Sequence, residues 1–350
     1  MTAASALSRG LIEATEPPEY RGIARDGVRM LVTDLGARTH AHAHFYDLPA
    51  LLRRGDLLVV NDSATLPAAL VAQRNDGTML RLHISTKVDQ RLWMVEPRGF
   101  VTAGETLRLP ANARAVMLSP AVMLSAVEAP DATTSRQRLW YAAFALPTSM
   151  EAYLQRYGTP ITYSYVNRAF PLSEYQTLFA REPGSSEMPS AARPFTARVL
   201  VALRDRGIEI AAVTLHCGVA SFERPERPGI ERFNVSHETA ERVNAARHQG
   251  RRVIAVGTTV VRALESAVTE HGVIGSQGWT DIYINEAHRL DAVDGLLSGF
   301  HDQNATHVAM LQAFASADVL QEAYAQAATH GYFYHEFGDV HLIARLAPER

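Results

Sequence analysis

From residue 196 to residue 343 the chain repeats one rhythm: a short, nearly unbroken apolar run, then a stretch patterned for a helix, with Gly, Ser or Thr at the joins. The runs at 208–215 and 253–256 lack the alternation of a half-exposed strand. Strands without a polar face belong to sheets covered by helices on both sides, which means a mostly parallel sheet. The spacing predicts helices over 196–206, 237–249, 260–269, 306–315 and 319–329, with further strands at 281–284 and 341–343. Gly207 suits a left-handed C-cap, Ser236 stands at an N-cap position, and Gly250 follows the second helix.

Upstream, a strand is expected at 30–33, and a strong apolar run at 57–60 stops at the turn pair Asn61-Asp62. Between 67 and 146 the texture changes. Short apolar runs at 70–72, 79–84, 92–95, 107–109, 121–127 and 139–145 are punctuated by Asn75-Asp76-Gly77, Pro97, Gly99, Gly104 and Pro110. Asp-Gly between apolar flanks is a hairpin signal, and the series reads as a small all-β barrel. At 350 residues two domains are expected: an α/β main domain from 1–66 and 147–350, and an inserted β-barrel from 67–146.

Composition removes several classes. Hydrophobic residues at 47% and charged residues at 20% describe a folded chain, not a disordered one. The greasiest segment, 115–127, is broken by Ser119 and Pro120 and falls short of the ~18 residues that span a bilayer. The start of the chain has no charged region followed by an apolar one, and the single Cys217 rules out an internal disulfide. A cytoplasmic protein is expected, with Cys217 a buried, inert thiol at a strand end. There is no phosphate loop of the G-x-x-x-x-G-K type and no G-x-G-x-x-G loop. His40, His42 and His44 would share one strand face, but no acidic or Cys ligands stand at matching spacing, so no metal is expected.

Chemistry-bearing residues gather at the ends of the predicted strands. Gly257-Thr258-Thr259 joins a strand to a helix, where glycine lets backbone approach a ligand and the helix N-terminus favours an anion. His216 directly follows a buried strand, at the end where α/β sheets hold their ligands; it reads as a substrate or proton-transfer group, or as a satisfied core histidine. Arg262 and Glu265 lie one helical turn apart, so an ion pair between them is the simple reading. Trp279-Thr280-Asp281 offers an aromatic face, a hydroxyl and a carboxylate; Phe300-His301 and Tyr175 add aromatic surface.

The strings themselves carry a resemblance. YQTLFAREPGSSEMPSAARPFT at 175–196 is followed by VTLHCGVASF, AVGTTVVRALES, GWTDIYI and GFH, and preceded by RDGVRMLV, HAHFYDLP and GDLLVVNDSATLPA. In this order, over about 25–343, they resemble the S-adenosylmethionine:tRNA ribosyltransferase-isomerases of queuosine biosynthesis. The resemblance implies an α/β fold with a barrel-like main domain of alternating strands and helices and an inserted small all-β barrel. It implies ribosyl transfer from S-adenosylmethionine as co-substrate, with no other cofactor, to a 7-deazaguanine base in tRNA. The implied catalytic residues are His216, Glu231 (a general base or a solvated loop carboxylate) and Asp281. Substrate contacts would come from Asn61, Asp62, Tyr175, Gln176, Thr177, Pro189, Ser190, Phe195, Thr196, Gly257, Thr258, Thr259, Arg262, Trp279, Thr280, Phe300 and His301.

Net charge is -3 and the sequence pI about 6.5, so a tRNA partner needs a local basic patch. Arg193, Arg198, Arg204, Arg206, Arg224 and Arg227 crowd one region, with Arg193, Arg198 and Arg227 the expected phosphate contacts; ordinary solvated charge is the other reading of the group. Ala64, Ala69 and Pro194 stand where the family carries cationic or histidine side chains. A second reading therefore stays open, a paralogue that uses S-adenosylmethionine or a related nucleoside with a small-molecule acceptor. The chain is expected to act as a monomer, away from membranes.

Overall fold

Nine strands form the main sheet: β1 (Arg29–Asp34), β2 (Thr39–His44), β3 (Leu57–Asn61), β4 (Glu209–Leu215), β5 (Glu231–Val235), β6 (Val253–Val256), β7 (Ser276–Thr280), β8 (Gly295–Gly299) and β9 (Val340–Ala344). Their order across the sheet is β7-β5-β4-β3-β6-β8-β9-β1-β2. The structure, a computed structural model, describes residues 10–121, 138–219, 229–301 and 306–346. The central strands β4, β3, β6 and β8 run parallel, while β5 and β9 are antiparallel to their inner neighbours.

Both faces of this sheet are covered, which is why its central strands lack polar alternation. Leu57, Val59, Val253 and Ala255 pack towards helices α2 (His237–His248), α3 (Thr258–Glu265) and α4 (Ala317–Thr329). Leu58, Val60, Ile254 and Val256 pack on the other face, against Val199 and Leu203 of α1 (Ala197–Asp205). Two caps follow the sequence signals. The Ser236 hydroxyl accepts the Thr239 N–H at 3.1 Å, and Thr196 accepts from Val199. Gly207 ends α1 at φ 73°, where a left-handed residue is required.

Several predicted elements shift. The helix expected over 260–269 starts at Thr258 and stops at Glu265, because Val268–Thr269 turns back to pair with Gly272–Val273. No strand covers 281–284; β7 precedes it and ends where the Thr280 hydroxyl accepts the Ile282 N–H at 3.2 Å. The helix expected over 306–315 spans only Thr306–Leu311. Strands β5 and β8 are absent from the sequence reading.

Between β3 and β4 the chain builds a closed six-stranded antiparallel barrel from Ala69–Gln73, Met79–Lys87, Leu92–Pro97, Thr106–Arg108, Arg114–Pro120 and Trp140–Ala145. Gly77 sits at φ 86° in the Asp-Gly turn of its first hairpin. Leu70, Leu82, Ile84, Trp93, Val95 and Phe144 fill the interior. The apolar run expected at 121–127 lies, beyond Ala121, outside the described residues. The Met150–Tyr157 helix packs on the barrel core through Met150, Tyr153 and Leu154, and Gly158 lets the chain pass close beside Pro67. Among the described residues no helix is long and apolar enough to cross a membrane.

Candidate active site

The carboxyl ends of β4, β3, β6 and β8 lie along one edge of the sheet, and β7 runs parallel to them and ends there too. That edge therefore gathers His216, Asn61, Gly257, Phe300 and Thr280. Among the central parallel strands β3 comes first in the chain, with β4 added on one side and β6 on the other. It marks the switch point where open α/β sheets form a crevice. Asn61 closes this crevice with internal bonds: its amide donates to Leu215 O (2.8 Å) and Thr259 Oγ1 (3.2 Å), and its oxygen accepts from Leu215 N and Ser63 N.

Beside it, Nδ1 of His216 lies 2.8 Å from Ser63 Oγ, which in turn lies 2.6 Å from Ser185 Oγ. Ser185 belongs to a short strand, Glu182–Ser185, that pairs in parallel with Ser63–Thr65. Gly184 lies flat against the imidazole; a Cβ there would come within 2.4 Å of Nδ1. Burial, with Arg232 and Lys87 nearby, lowers the His216 pKa to about 4, so the ring is neutral at physiological pH. Burial pushes the adjacent Cys217 thiol up, as an inert thiol requires.

Glu231 opens β5 and is not a free loop carboxylate. It forms an ion pair with Arg262 of α3, and its Oε1 accepts the Gly218 N–H at 2.7 Å. Arg262 also reaches the carbonyls of Gly229, Thr280 and Ile282. Arg262 thus pairs with Glu231 rather than with Glu265, which instead accepts the N–H groups of Asp291 and Ala292. The pair clamps the turn after His216 from below, while the barrel holds it from above: Ser85 Oγ accepts Val219 N–H at 2.9 Å and Ser85 O accepts from Ser186.

Next to this turn lies a cluster the sequence reading does not single out. Tyr163 donates to Glu187 and Tyr165 to Glu336. The Tyr165 ring stacks on His335 with centroids 3.9 Å apart, and the Tyr163 ring lies 5.9 Å from that of Tyr165. Burial pushes the Glu336 carboxyl up, and burial with a carboxylate partner raises both tyrosines. His335 holds φ 73°, a strained conformation for a side-chain-bearing residue and one that marks functional loops. The cluster's sequence signals are the Tyr163-Ser164-Tyr165 alternation and the place of Glu187 inside the 175–196 string.

Other expected contacts have structural partners. Phe195 and Phe300 are each 1% exposed and pack among other aromatic rings. Tyr175 packs on Phe337 in a satellite core with Phe170 and Met188. Gln176 holds the backbone of Thr65 in both directions, at 3.0 and 2.7 Å. Asp62 accepts from Thr214 at 2.7 Å, and burial raises its pKa. Thr196 donates to Asp26. Pro189 and Thr177 are buried, Ser190 half-buried. Thr258 and Thr259 open α3 after Gly257 at φ 98°. His301 meets Ser298 at 2.9 Å. Trp279 and Asp281 are exposed and Thr280 buried.

Two of the three expected phosphate contacts are spent internally. Arg193 is 2% exposed and pairs with Glu19 and Glu174, and Arg198 pairs with Asp26. Arg224 and Arg227 lie outside the described residues. His40, His42 and His44 engage Thr33, Tyr332 and the Tyr46 ring, and among the described residues no group of His, Cys, Asp and Glu is placed to hold a metal ion.

A family model described as "Queuosine biosynthesis protein" matches residues 7–343. The chain is 37% identical over 339 residues to the S-adenosylmethionine:tRNA ribosyltransferase-isomerase of Moorella thermoacetica, covering 91% of this chain and 93% of the relative. It is 33% identical over 341 residues to the protein of the same name from Thermus thermophilus, covering 93% and 96%. Among solved structures, the S-adenosylmethionine tRNA ribosyltransferase of Thermotoga maritima matches with TM-score 0.51 and 25% identity, covering 95% of this chain and 96% of that one.

Proposed function

Since the chain belongs to the queuosine biosynthesis protein family, we propose that it works as an S-adenosylmethionine:tRNA ribosyltransferase-isomerase with its reacting groups along the carboxyl edge of β4, β3 and β6. The activity turns the co-substrate into a ribosyl donor. The positive sulfonium acidifies the 5′ carbon next to it, a base removes a proton there, and rearrangement expels adenine and methionine. The aminomethyl group of a 7-deazaguanine base in tRNA captures the sugar as an epoxycyclopentane, giving epoxyqueuosine. The overall change is redox-neutral, so no cofactor beyond the co-substrate is needed, and one chain supplies every group named below. A monomer is therefore assigned, which light scattering checks.

The placement of His216 carries this reading: it follows β4 at the carboxyl edge of the sheet, with its ring held between Gly184 and Ser63. Burial keeps the imidazole neutral, so it can accept a proton without first losing one. Running the hydrogen-bond chain from Nδ1–H to Ser63 and on to Ser185 leaves the Nε2 lone pair for that task. Glu231, locked by Arg262 and Gly218, positions the turn that carries His216. The rings of Tyr163 and Tyr165, with the carboxyl groups of Glu187 and Glu336 that they bond, supply what a sulfonium seeks, aromatic faces and carboxyl oxygens. Gly257-Thr258-Thr259 at the start of α3 suits the methionine carboxylate. Trp279 and Asp281, exposed at the end of β7, are assigned to the acceptor base.

Incubation with S-adenosylmethionine, with and without tRNA bearing the 7-aminomethyl-7-deazaguanine base, tests the proposal. Adenine and methionine should be released in step with a mass gain on the tRNA. Release without tRNA modification would point to a small-molecule acceptor, and no release at all would refute the activity.

A further inference from the structure

We infer that the outer face of the β-barrel is the surface that grips the tRNA backbone, a proposal that rests on the tRNA-modifying function above. Arg193 and Arg198, two of the arginines that crowd the sequence near α1, are held by carboxylates, and the chain is acidic overall. A polyanion needs cations that no carboxylate holds.

The barrel provides them. Arg108 and Arg114 are direct register partners on adjacent antiparallel strands, and Gln73 is the partner of Arg108 on its other side. Along the same face, Val71 pairs with Arg81, and Gln73 with Met79. All six side chains are exposed, Met79 at 62% and Val71 at 52%. The side chains of Arg81, Arg108 and Arg114 form no hydrogen bond or ion pair with any described residue. Their neighbours Arg74, Arg98 and Arg138 are all paired, with Glu105 or Glu96. Like charges placed directly opposite across a sheet repel, so this row costs stability unless an anion lies over it. The exposed Val71 and Met79 between the guanidinium groups suit the sugar and base edges of a nucleic acid better than they suit water.

The face also leads to the reacting edge. In the Met79–Lys87 strand, Arg81, His83 and Ser85 follow one another on the side away from the barrel interior, Arg81 exposed and the other two buried. Ser85 is the residue that holds the turn after His216. At about 3.4 Å per residue, Arg81 stands roughly 14 Å from that contact, within reach of an RNA stem whose target base enters the site.

The test is a triple variant, Arg81→Ala, Arg108→Ala and Arg114→Ala, beside a charge-matched control with Arg204→Ala, Arg206→Ala and Arg289→Ala. Three phosphate contacts at a slope of about -0.9 each account for roughly 40-fold in affinity over a four-fold rise in salt. The barrel variant should therefore show a shallower salt dependence of tRNA binding, by roughly 2 to 3 in slope, and a tRNA KM raised by at least about tenfold. Turnover at saturating tRNA and the KM for S-adenosylmethionine should stay within twofold of the parent. Lysine at the same three positions should restore most of the binding, which a merely misfolded barrel would not allow. If the parent modifies tRNA and the barrel variant binds it equally well, or if the control is equally impaired, the surface is wrong while the function stands. A parent that neither binds nor modifies tRNA overturns both.

Discussion

Acid should expose the His216 environment directly. In the unfolded chain its imidazole titrates near the ordinary 6.5, whereas the folded value is about 4 because burial and the nearby Arg232 and Lys87 oppose a positive charge. The neutral ring is compatible with the fold, so its share of stability is fully present above about pH 6.5. As pH falls, the unfolded state takes up the proton first, and that share is lost progressively towards the folded value. Linkage puts the loss at about 2 kcal/mol by pH 5 and about 3 kcal/mol below both pKa values. Urea unfolding of the parent and of His216→Asn at pH 7.5 and pH 5 reads it out. Asparagine keeps a polar atom near the Nδ1 position for Ser63 but does not titrate. The stability lost between the two pH values should be about 2 kcal/mol smaller in the variant, with all other groups cancelling. The same depressed pKa places the acid limb of the parent's rate profile well below pH 6.5. Equal acid losses in parent and variant would refute the argument.

Two further predictions concern the same turn. Gly184→Ala puts a methyl group 2.4 to 2.7 Å from three His216 ring atoms and must drive the imidazole off Ser63; a fall in turnover of about 100-fold is expected, with a stability cost of about 1 to 3 kcal/mol, and a fully active variant would remove His216 from the chemistry. Arg262→Met leaves Glu231 charged and unpaired at 12% side-chain exposure, so denaturant unfolding should show a loss of about 3 to 5 kcal/mol; adding Glu231→Gln should recover at least about 1 kcal/mol of it, and strict additivity would mean the pair is not coupled.

The sequence showed the fold where burial dictated composition. Runs such as 253–256 have no polar face because helices cover both sides, and Ser236 caps α2 as its position implies. It hid β8, Gly-Leu-Leu-Ser-Gly, because two glycines read as loop. Yet Gly295 is needed there, since a Cβ would meet Ile254 at 2.7 Å and Ala344 at 2.9 Å. It hid β5 because Glu231, Arg232 and Asn234 look solvated, although the charge of Glu231 is matched by Arg262, which reaches it from a different element. At the site, the resemblance points to strings but does not say which side chains in them face inward. Tyr175, Phe195 and Phe300 are buried among other rings; Glu187 lies inside the 175–196 string without being set apart by it, and Glu336 lies in a segment with no pattern to mark it.

The order of pairing in the main sheet has a consequence for synthesis. Strand β1 is paired on one side with β2, its neighbour in sequence, but on the other with β9, so that Met30 waits for Val340. At about 5 to 20 residues per second, the wait on the ribosome is on the order of half a minute. Throughout it, the first hairpin presents the unsatisfied backbone of β1, flanked by Met30, Leu31 and Val32, as an open template for any extended chain nearby. The barrel, whose pairings all fall between Ala69 and Ala145, can close long before. Nascent chains should therefore pass through a species with a finished barrel and an unfinished sheet, the stage at which this protein most needs a chaperone.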